Sequence, residues 1–305
     1  MTEINTQVTI GSLHMKNPVM PASGAYDYFE DNANVFPVSE LGAIMLKSIH
    51  RRERMGNPAP RIHETAAGML NAVGIPSVGI EAFIKNKSLE HYRELGAPII
   101  VSISGNSAQD YVECLEFLND QPDVAAVELN LSCPNVGTGL QLSSDVKTLT
   151  EVVSAARKAT KHTIFAKLSP NVTDIRLTAK ASEDAGADAV TIANTYMGIA
   201  ISAKTKRPIL GNKQGGLSGP AIKPLTLYKV YQAYSVVKIP IIGVGGIMCA
   251  EDAIEYILAG ASAVQVGAGN FIEPMLMHNV IKGIEDYMRE NDFPTIESFK
   301  GLAQG

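Results

Sequence analysis

The sequence predicts an α/β fold, a (β/α)8 barrel of the TIM-barrel architecture with a small N-terminal β-hairpin. Three observations carry that prediction. Eight short apolar runs recur along the 305 residues, and segments of helical period separate most of them. The runs read as buried on both faces, as strands of a parallel sheet do. Eight is also the number at which such a sheet closes with side chains filling its middle. The whole chain, 1–305, is expected to be one domain.

The elements follow in order. "QVTIGSLHMKNP" alternates around Gly11 like a small hairpin and is placed across the bottom of the barrel. The first run, "PVMPAS" (18–23), closes on Ser23, and the second, "AIMLKS" (43–48), closes on Lys47 and Ser48. "PIIVSIS" (98–104) carries Ser102, and "AAVELNLS" (125–132) carries Asn130. In "SSDVKTLTEVVSAARKA" the spacing predicts a crossover helix: Ser143 or Ser144 caps its start, and Val146, Leu149, Val152, Val153 and Ala156 form its apolar stripe. "TIFAKLS" (163–169) brings Lys167, and "AVTIANT" (189–195) ends in Ala193, Asn194 and Thr195. "IPIIGVGG" (239–246) and "SAVQVGA" (262–268) complete the set. "EDAGADAV" and "LAGASAV" share one joint, in which Gly186 and Gly260 stand just past a helix and turn the chain into the next strand.

In such barrels the chemistry sits at the C-terminal ends of the strands, so polar residues that close apolar runs are the candidates. Two of them are lysines that close apolar runs, Lys47 after four apolar residues and Lys167 after three, and a buried ammonium needs an anionic or polar partner. The seventh and eighth runs end in "GVGGIMCAEDA" and "QVGAGNF", where Gly245, Gly246 and Gly267 let the backbone approach a phosphate closely; alternatively they only make tight turns. With no Walker A sequence and no G-x-G-x-x-G after the first strand, a phosphate-bearing cofactor inside a barrel is preferred to a nucleotide on a Rossmann sheet. Beside a flavin, Lys167 would stabilise the negative charge that appears on reduction; otherwise it pairs with a neighbouring carboxylate.

Cys133 follows Ser132 and precedes Pro134 at the end of the fourth run. With no histidine near it in sequence, the preferred reading is a general base for a carbon-bound proton, against a nucleophile or an inert thiol. Cys114 and Cys249 read as inert. Three cysteines and six histidines without ligand spacing point to no disulfide framework and no metal site. A net charge of −5 argues against nucleic-acid binding. The opening residues have no signal-peptide pattern, and no run of about 18 apolar residues exists to span a membrane, so a soluble cytoplasmic protein is expected.

"LNLSCPNVGTG", "LNAVGIPS" (70–77), "FAKLSPNVTDI" (165–175), "NKQGGLSGPAIKPL" (212–225), "IIGVGGI" and "AGASAVQVGA" together resemble the dihydroorotate dehydrogenases of the soluble, cysteine-based class, over nearly the whole chain. "KLSPNVTDI", "NKQGGLSGPAIKP" and "FIEPM" are more similar to the catalytic subunit of the NAD-linked type B enzymes than to the fumarate-linked type A homodimers. The resemblance implies oxidation of (S)-dihydroorotate to orotate in pyrimidine synthesis, with Cys133 taking the C5 proton while the C6 hydride passes to N5 of FMN. It implies substrate contacts from Lys47, Asn71, Asn130, Asn194 and Thr195, with Ala72, Val73, Gly74 and Ile75 lining the pocket. FMN contacts are implied for Ser23, Lys47, Ser48, Ser102, Asn130 and Lys167. The same holds for Ala193, Gly219, Gly245, Gly246, Gly267 and Ala268. A homodimeric core is implied, and for type B an electron-transfer subunit carrying FAD and a 2Fe–2S cluster in a heterotetramer. Three other readings stay open: a type A enzyme, a flavin barrel reducing uracil-type bases with no carboxylate for Lys47, and a non-catalytic barrel binding a phosphate ligand.

Overall fold

The computed structural model describes residues 3–26, 28, 35–86, 88–131 and 145–305. All eight predicted runs form barrel strands. In chain order these are Val19–Pro21, a second strand in two pieces, Ile99–Ser104, Val124–Asn130, Thr163–Lys167, Ala189–Ile192, Ile241–Val244 and Ala263–Val266. They pair in parallel in sequential order around the barrel, with the eighth beside the first. Where the first strand meets the second, the amide of Gly42 donates to the carbonyl of Val19 at 2.9 Å. Nearly every strand residue is buried, which is why these runs are continuously apolar rather than alternating.

The second strand departs from the sequence expectation of one continuous run. Ile44–Met45 pairs with Ile99 and Ile100, the Leu46 amide still donates to the Ile100 carbonyl at 2.9 Å, Ile49–His50 pairs with Ile103 and Ser104, and Lys47 and Ser48 fall in the break between them. The break frees Lys47 from the ladder, so its side chain is exposed although apolar residues precede it.

Helices on the outside carry the chain back between strands. The crossover helix Val146–Ala159 buries Leu149, Val152, Val153 and Ala156 against the sheet, as its spacing predicts. Its first residue does not follow the prediction: Val146 is 40% exposed. The cap is also different, because Asp145 accepts from the amide of Thr148 at 2.9 Å. Ser143 and Ser144 lie outside the described residues. Both glycine joints have the left-handed backbone their position requires, with φ +97° at Gly186 and φ +118° at Gly260. Cys114 sits buried inside the helix Ala108–Leu118, and burial pushes its thiol up to about 12, in keeping with an inert role.

The N-terminal hairpin, Val8–Ile10 with Leu13–Met15, turns at Gly11 and buries Val8, Ile10, Leu13 and Met15. At its tip the Ser12 amide donates to Thr163 Oγ1 at 2.9 Å, at the N-terminal end of the fifth strand, so the hairpin does plug the barrel's bottom. At the opposite end lies an element the sequence reading did not anticipate. Ile62–Thr65 and Gly68–Asn71, which follow the second barrel strand, join Tyr196–Ile199 and Gln214–Ser218, which follow the sixth, in a four-stranded antiparallel sheet.

Candidate active site

At the C-terminal ends of the strands opens a cavity of about 330 Å³, within the size range of small-ligand sites. Seventeen of the sequence candidates line it: all but Ser102, Ala72 and Cys133. Ser102 and Ala72 are buried behind the cavity wall. Cys133 lies outside the described residues, as do the neighbours that precede and follow it from 132 to 144.

One wall is a chain of small polar side chains contributed by successive strands. Ser23 Oγ donates to the Leu46 carbonyl at 2.9 Å and lies 3.2 Å from Ser48 Oγ. Ser48 Oγ lies 2.8 Å from Ser102 Oγ and accepts from Asn130 Nδ2 at 3.2 Å. Asn130 Oδ1 in turn accepts from Asn194 Nδ2 at 3.3 Å, and Asn194 Oδ1 accepts from the Thr195 amide at 2.8 Å. Ser102 therefore meets the cavity wall only through Ser48, and its distance from the cavity follows from its level in the strand, opposite Glu128 rather than opposite Asn130. Fixed amides of this kind offer both donors and acceptors, the complement of a ring with alternating carbonyl and N–H groups.

A second wall comes from the antiparallel sheet and the turn that leaves it. Asn71 Nδ2 donates to the Gly216 carbonyl at 3.4 Å, while Asn57 holds the following turn through the carbonyls of Ala72 and Val73. Ile75, a β-branched residue, sits there at φ +48°, a conformation that costs about 1–3 kcal/mol and persists only where surroundings enforce it. Lys47 projects between these walls. Burial of its stem, and next the charge of Arg61, hold its ammonium below the usual lysine range.

The third wall is built from backbone. Gly245 (φ +146°), Gly246 (φ +68°) and Gly219 (φ +97°) adopt conformations that side chains rarely enter, and Gly267 and Ala268 close the eighth strand beside them. A Cβ on Gly246 would stand 2.8 Å from the amide nitrogen of Lys223 and 2.9 Å from the carbonyl of Gly219, so glycine is required there by the packing of two turns on each other. At Gly267 a Cβ would meet nothing nearer than Ala22 at 3.8 Å. That space belongs to the cavity, and the bare backbone leaves it for a ligand, as a phosphate cradle does.

The cavity floor holds Lys167, 6% exposed. Its Nζ donates to Gln265 Oε1 at 3.0 Å and to Glu128 Oε1 at 3.4 Å, while Glu128 Oε2 accepts from Gln265 Nε2 at 2.7 Å and from Thr191 Oγ1 at 3.1 Å. Of the two sequence readings of Lys167, the structure shows the ion-paired lysine, and the same residue lines the cavity. Glu128 was the missed partner; a carboxylate inside the apolar run "AAVELN" was the available signal. Ile62, Met69, Ser218 and Phe271 also line the cavity and were not foreseen. Met69 and Ser218 directly precede the Leu70 and Gly219 of singled-out motifs, and Ile62 and Phe271 are exposed apolar residues at the rim. Among the described residues no cluster of three or more potential metal ligands occurs, and no helix is long and apolar enough to cross a membrane.

Comparison with known proteins gives one answer. A family model described as dihydroorotate dehydrogenase matches residues 5–288. A protein of Geotalea uraniireducens is 45% identical over 302 residues, covering 99% of both chains. One of Trichlorobacter lovleyi is 46% identical over 299 residues, 98% of each, and one of Bacteroides fragilis is 45% identical over 298 residues, 97% of this chain and 98% of its own. All three are named dihydroorotate dehydrogenase B (NAD(+)), catalytic subunit.

Proposed function

The chain belongs to the dihydroorotate dehydrogenase family of oxidoreductases, and we propose that it oxidises (S)-dihydroorotate to orotate for pyrimidine synthesis, as a single FMN-binding barrel domain. The observation that carries this reading is the shared cavity: Lys47, Asn71, Asn130 and Asn194 converge on the same space as Lys167 and the glycine turns at 219, 245–246 and 267. Bound FMN supplies the acceptor for the hydride that leaves C6 of the substrate.

The chain's own residues do the rest. Asn71, Asn130 and Asn194 present amides to the carbonyl and N–H edge of the pyrimidine ring, and Thr195 stands beside them. Lys47 faces the substrate carboxylate, the one net charge that distinguishes this substrate from a bare uracil-type ring. The glycine turns and Ala268 would hold the cofactor phosphate on backbone, and Ser23, Ser48 and Ala193 would help hold the rest of the cofactor. Cys133, three residues past Asn130, accepts the C5 proton on its sulfur while C6 gives up hydride; loss of the two hydrogens leaves the C5–C6 double bond. The strand that leads to Cys133 is anchored at its end. Tyr111 Oη donates to the Asn130 carbonyl at 2.8 Å, and the Leu131 amide donates to the Lys167 carbonyl at 3.2 Å.

The relatives' names support an NAD-linked electron path. In this reading, a homodimeric core of the chain passes electrons to NAD through a separate iron–sulfur flavoprotein subunit carrying FAD and a 2Fe–2S cluster. The test is direct: purified protein is yellow, and its absorbance near 450 nm bleaches when dihydroorotate is added without oxygen. Cys133→Ser keeps the colour and slows the bleaching by at least 100-fold at pH 7. A colourless protein, or a flavin that dihydroorotate does not reduce, overturns the function; a serine variant reduced at the wild-type rate removes the cysteine from the reaction. Rapid turnover of the isolated chain with fumarate reassigns the acceptor.

A further inference from the structure

Glu128 has no place in the reaction described above, yet it is a fully buried carboxylate at the heart of the barrel. It stands two residues before Asn130 on the fourth strand, so both side chains face inward, Asn130 into the cavity and Glu128 one level below. Both carboxylate oxygens are occupied: Oε2 by Gln265 and Thr191, Oε1 by Lys167. Lys167 has three N–H donors. Two are directed down to Gln265 and Glu128, and since Lys167 also lines the cavity, the third has no partner among the described residues and is open to whatever fills the cavity.

We propose that Glu128 is a positioning residue that holds Lys167 at the cavity floor and balances its charge, and so sets the reduction potential of the flavin bound above; the inference rests on FMN occupying the cavity. The physical case has two parts. A lysine stem is flexible, and an ammonium tied at two of its three donors keeps one orientation. The field that a buried cation projects into a cavity depends on what stands behind it, because screening by solvent is weak there. With the carboxylate 3.4 Å away, a charge in the cavity meets a dipole; without it, the same charge meets a full cation. Gln265 makes the arrangement rigid by donating to Glu128 and accepting from Lys167 at once.

The two single substitutions must then move the potential in opposite directions. Glu128→Gln leaves the ammonium unopposed and favours the anionic reduced flavin; Lys167→Met leaves the carboxylate unopposed and disfavours it. The measurement is the midpoint potential of the flavin in the purified holoprotein, by anaerobic spectrophotometric titration at pH 6 and pH 8. Glu128→Gln is expected to raise the potential by an amount equal to about tenfold in the oxidised–reduced equilibrium, ~30 mV for a two-electron couple. Lys167→Met is expected to lower it by a similar amount, and the double variant Glu128→Gln/Lys167→Met to return it toward wild type. The double variant carries no buried charge at either position, so it serves where Glu128→Gln alone does not fold. Shifts of opposite sign that cancel in the double variant support the proposal. A Glu128→Gln potential equal to wild type at both pH values, or a double variant equal to Lys167→Met, overturns it while the flavin reading stands. A wild-type protein that purifies without flavin overturns both.

Discussion

Lys47 and Lys167 are two cations in one cavity, held by opposite means. Lys167 is ion-paired, buried and fixed; Lys47 is exposed at its tip and has Arg61 for a neighbour. A cation in the second situation is available to an incoming anion, because among the described residues it has no ion-pair partner to give up. Its lowered pKa has a consequence for pH. As pH rises, Lys47 loses its proton earlier than an ordinary lysine, at 10.5, would, and its attraction for a carboxylate is lost with it. Orotate affinity of the holoprotein, followed by flavin difference spectra, is therefore expected to fall as pH rises, and to begin falling before an ordinary lysine would lose its proton. In Lys47→Met the affinity is weaker by about tenfold at neutral pH, and this alkaline fall is gone. A variant that binds orotate as tightly as wild type removes Lys47 from the site.

At the scale of the element, strand ends do the positioning. The fourth strand carries Glu128 and Asn130 on one face, and its last residue is clamped from outside the barrel by Tyr111, a fully buried tyrosine of the helix Ala108–Leu118. Tyr111→Phe removes the donor and leaves the Asn130 carbonyl without it, at a cost of about 1–3 kcal/mol. Urea unfolding is expected to show that loss with an unchanged slope, and orotate binding is expected to weaken while FMN is retained, because the same change loosens the backbone that carries Asn130. A loss of stability with orotate affinity intact would make Tyr111 a packing residue only. The interrupted second strand makes the same point from the other side: where the ladder lapses, after Leu46, a lysine leaves the wall of the barrel and enters the cavity.

For the whole molecule, the two ends of the barrel divide the labour. The N-terminal end is closed by the hairpin, whose Leu13 is 2% exposed against the core, and the C-terminal end is opened into the cavity and roofed by the antiparallel sheet. Substitutions at the bottom should cost stability without touching the chemistry. Leu13→Ala is expected to lower unfolding free energy by about 2–5 kcal/mol, through lost transfer energy and the cavity left behind. The rate of dihydroorotate oxidation per bound flavin is expected to be unchanged. A lowered rate in the folded variant would show that the two ends are coupled through the barrel.

Much of this was written locally. Eight apolar runs, the glycine joints at Gly186 and Gly260, and the polar residues that end the strands are features of a few consecutive residues; the runs and joints form as read, and most of the polar residues line one cavity. What the sequence could not display is which of those residues share a level inside the closed barrel. Ser102 and Asn130 both read as strand-end polar residues, but the stagger of the strands sets Ser102 beside Glu128, one layer down, and leaves Asn130 at the cavity wall. Gly68–Asn71 meets Gln214–Ser218 across about 145 positions of chain, and Gln265 meets Glu128 across 137, so neither the roof nor the buried charge network had a local signature. The sequence by itself determined the strands, the joints and most of the chemical groups at the cavity, because propensity and burial act over short stretches. Only the closure of the sheet decided that a glutamate inside one strand would stand behind a lysine of the next, because contacts inside a barrel depend on the register of every strand around it.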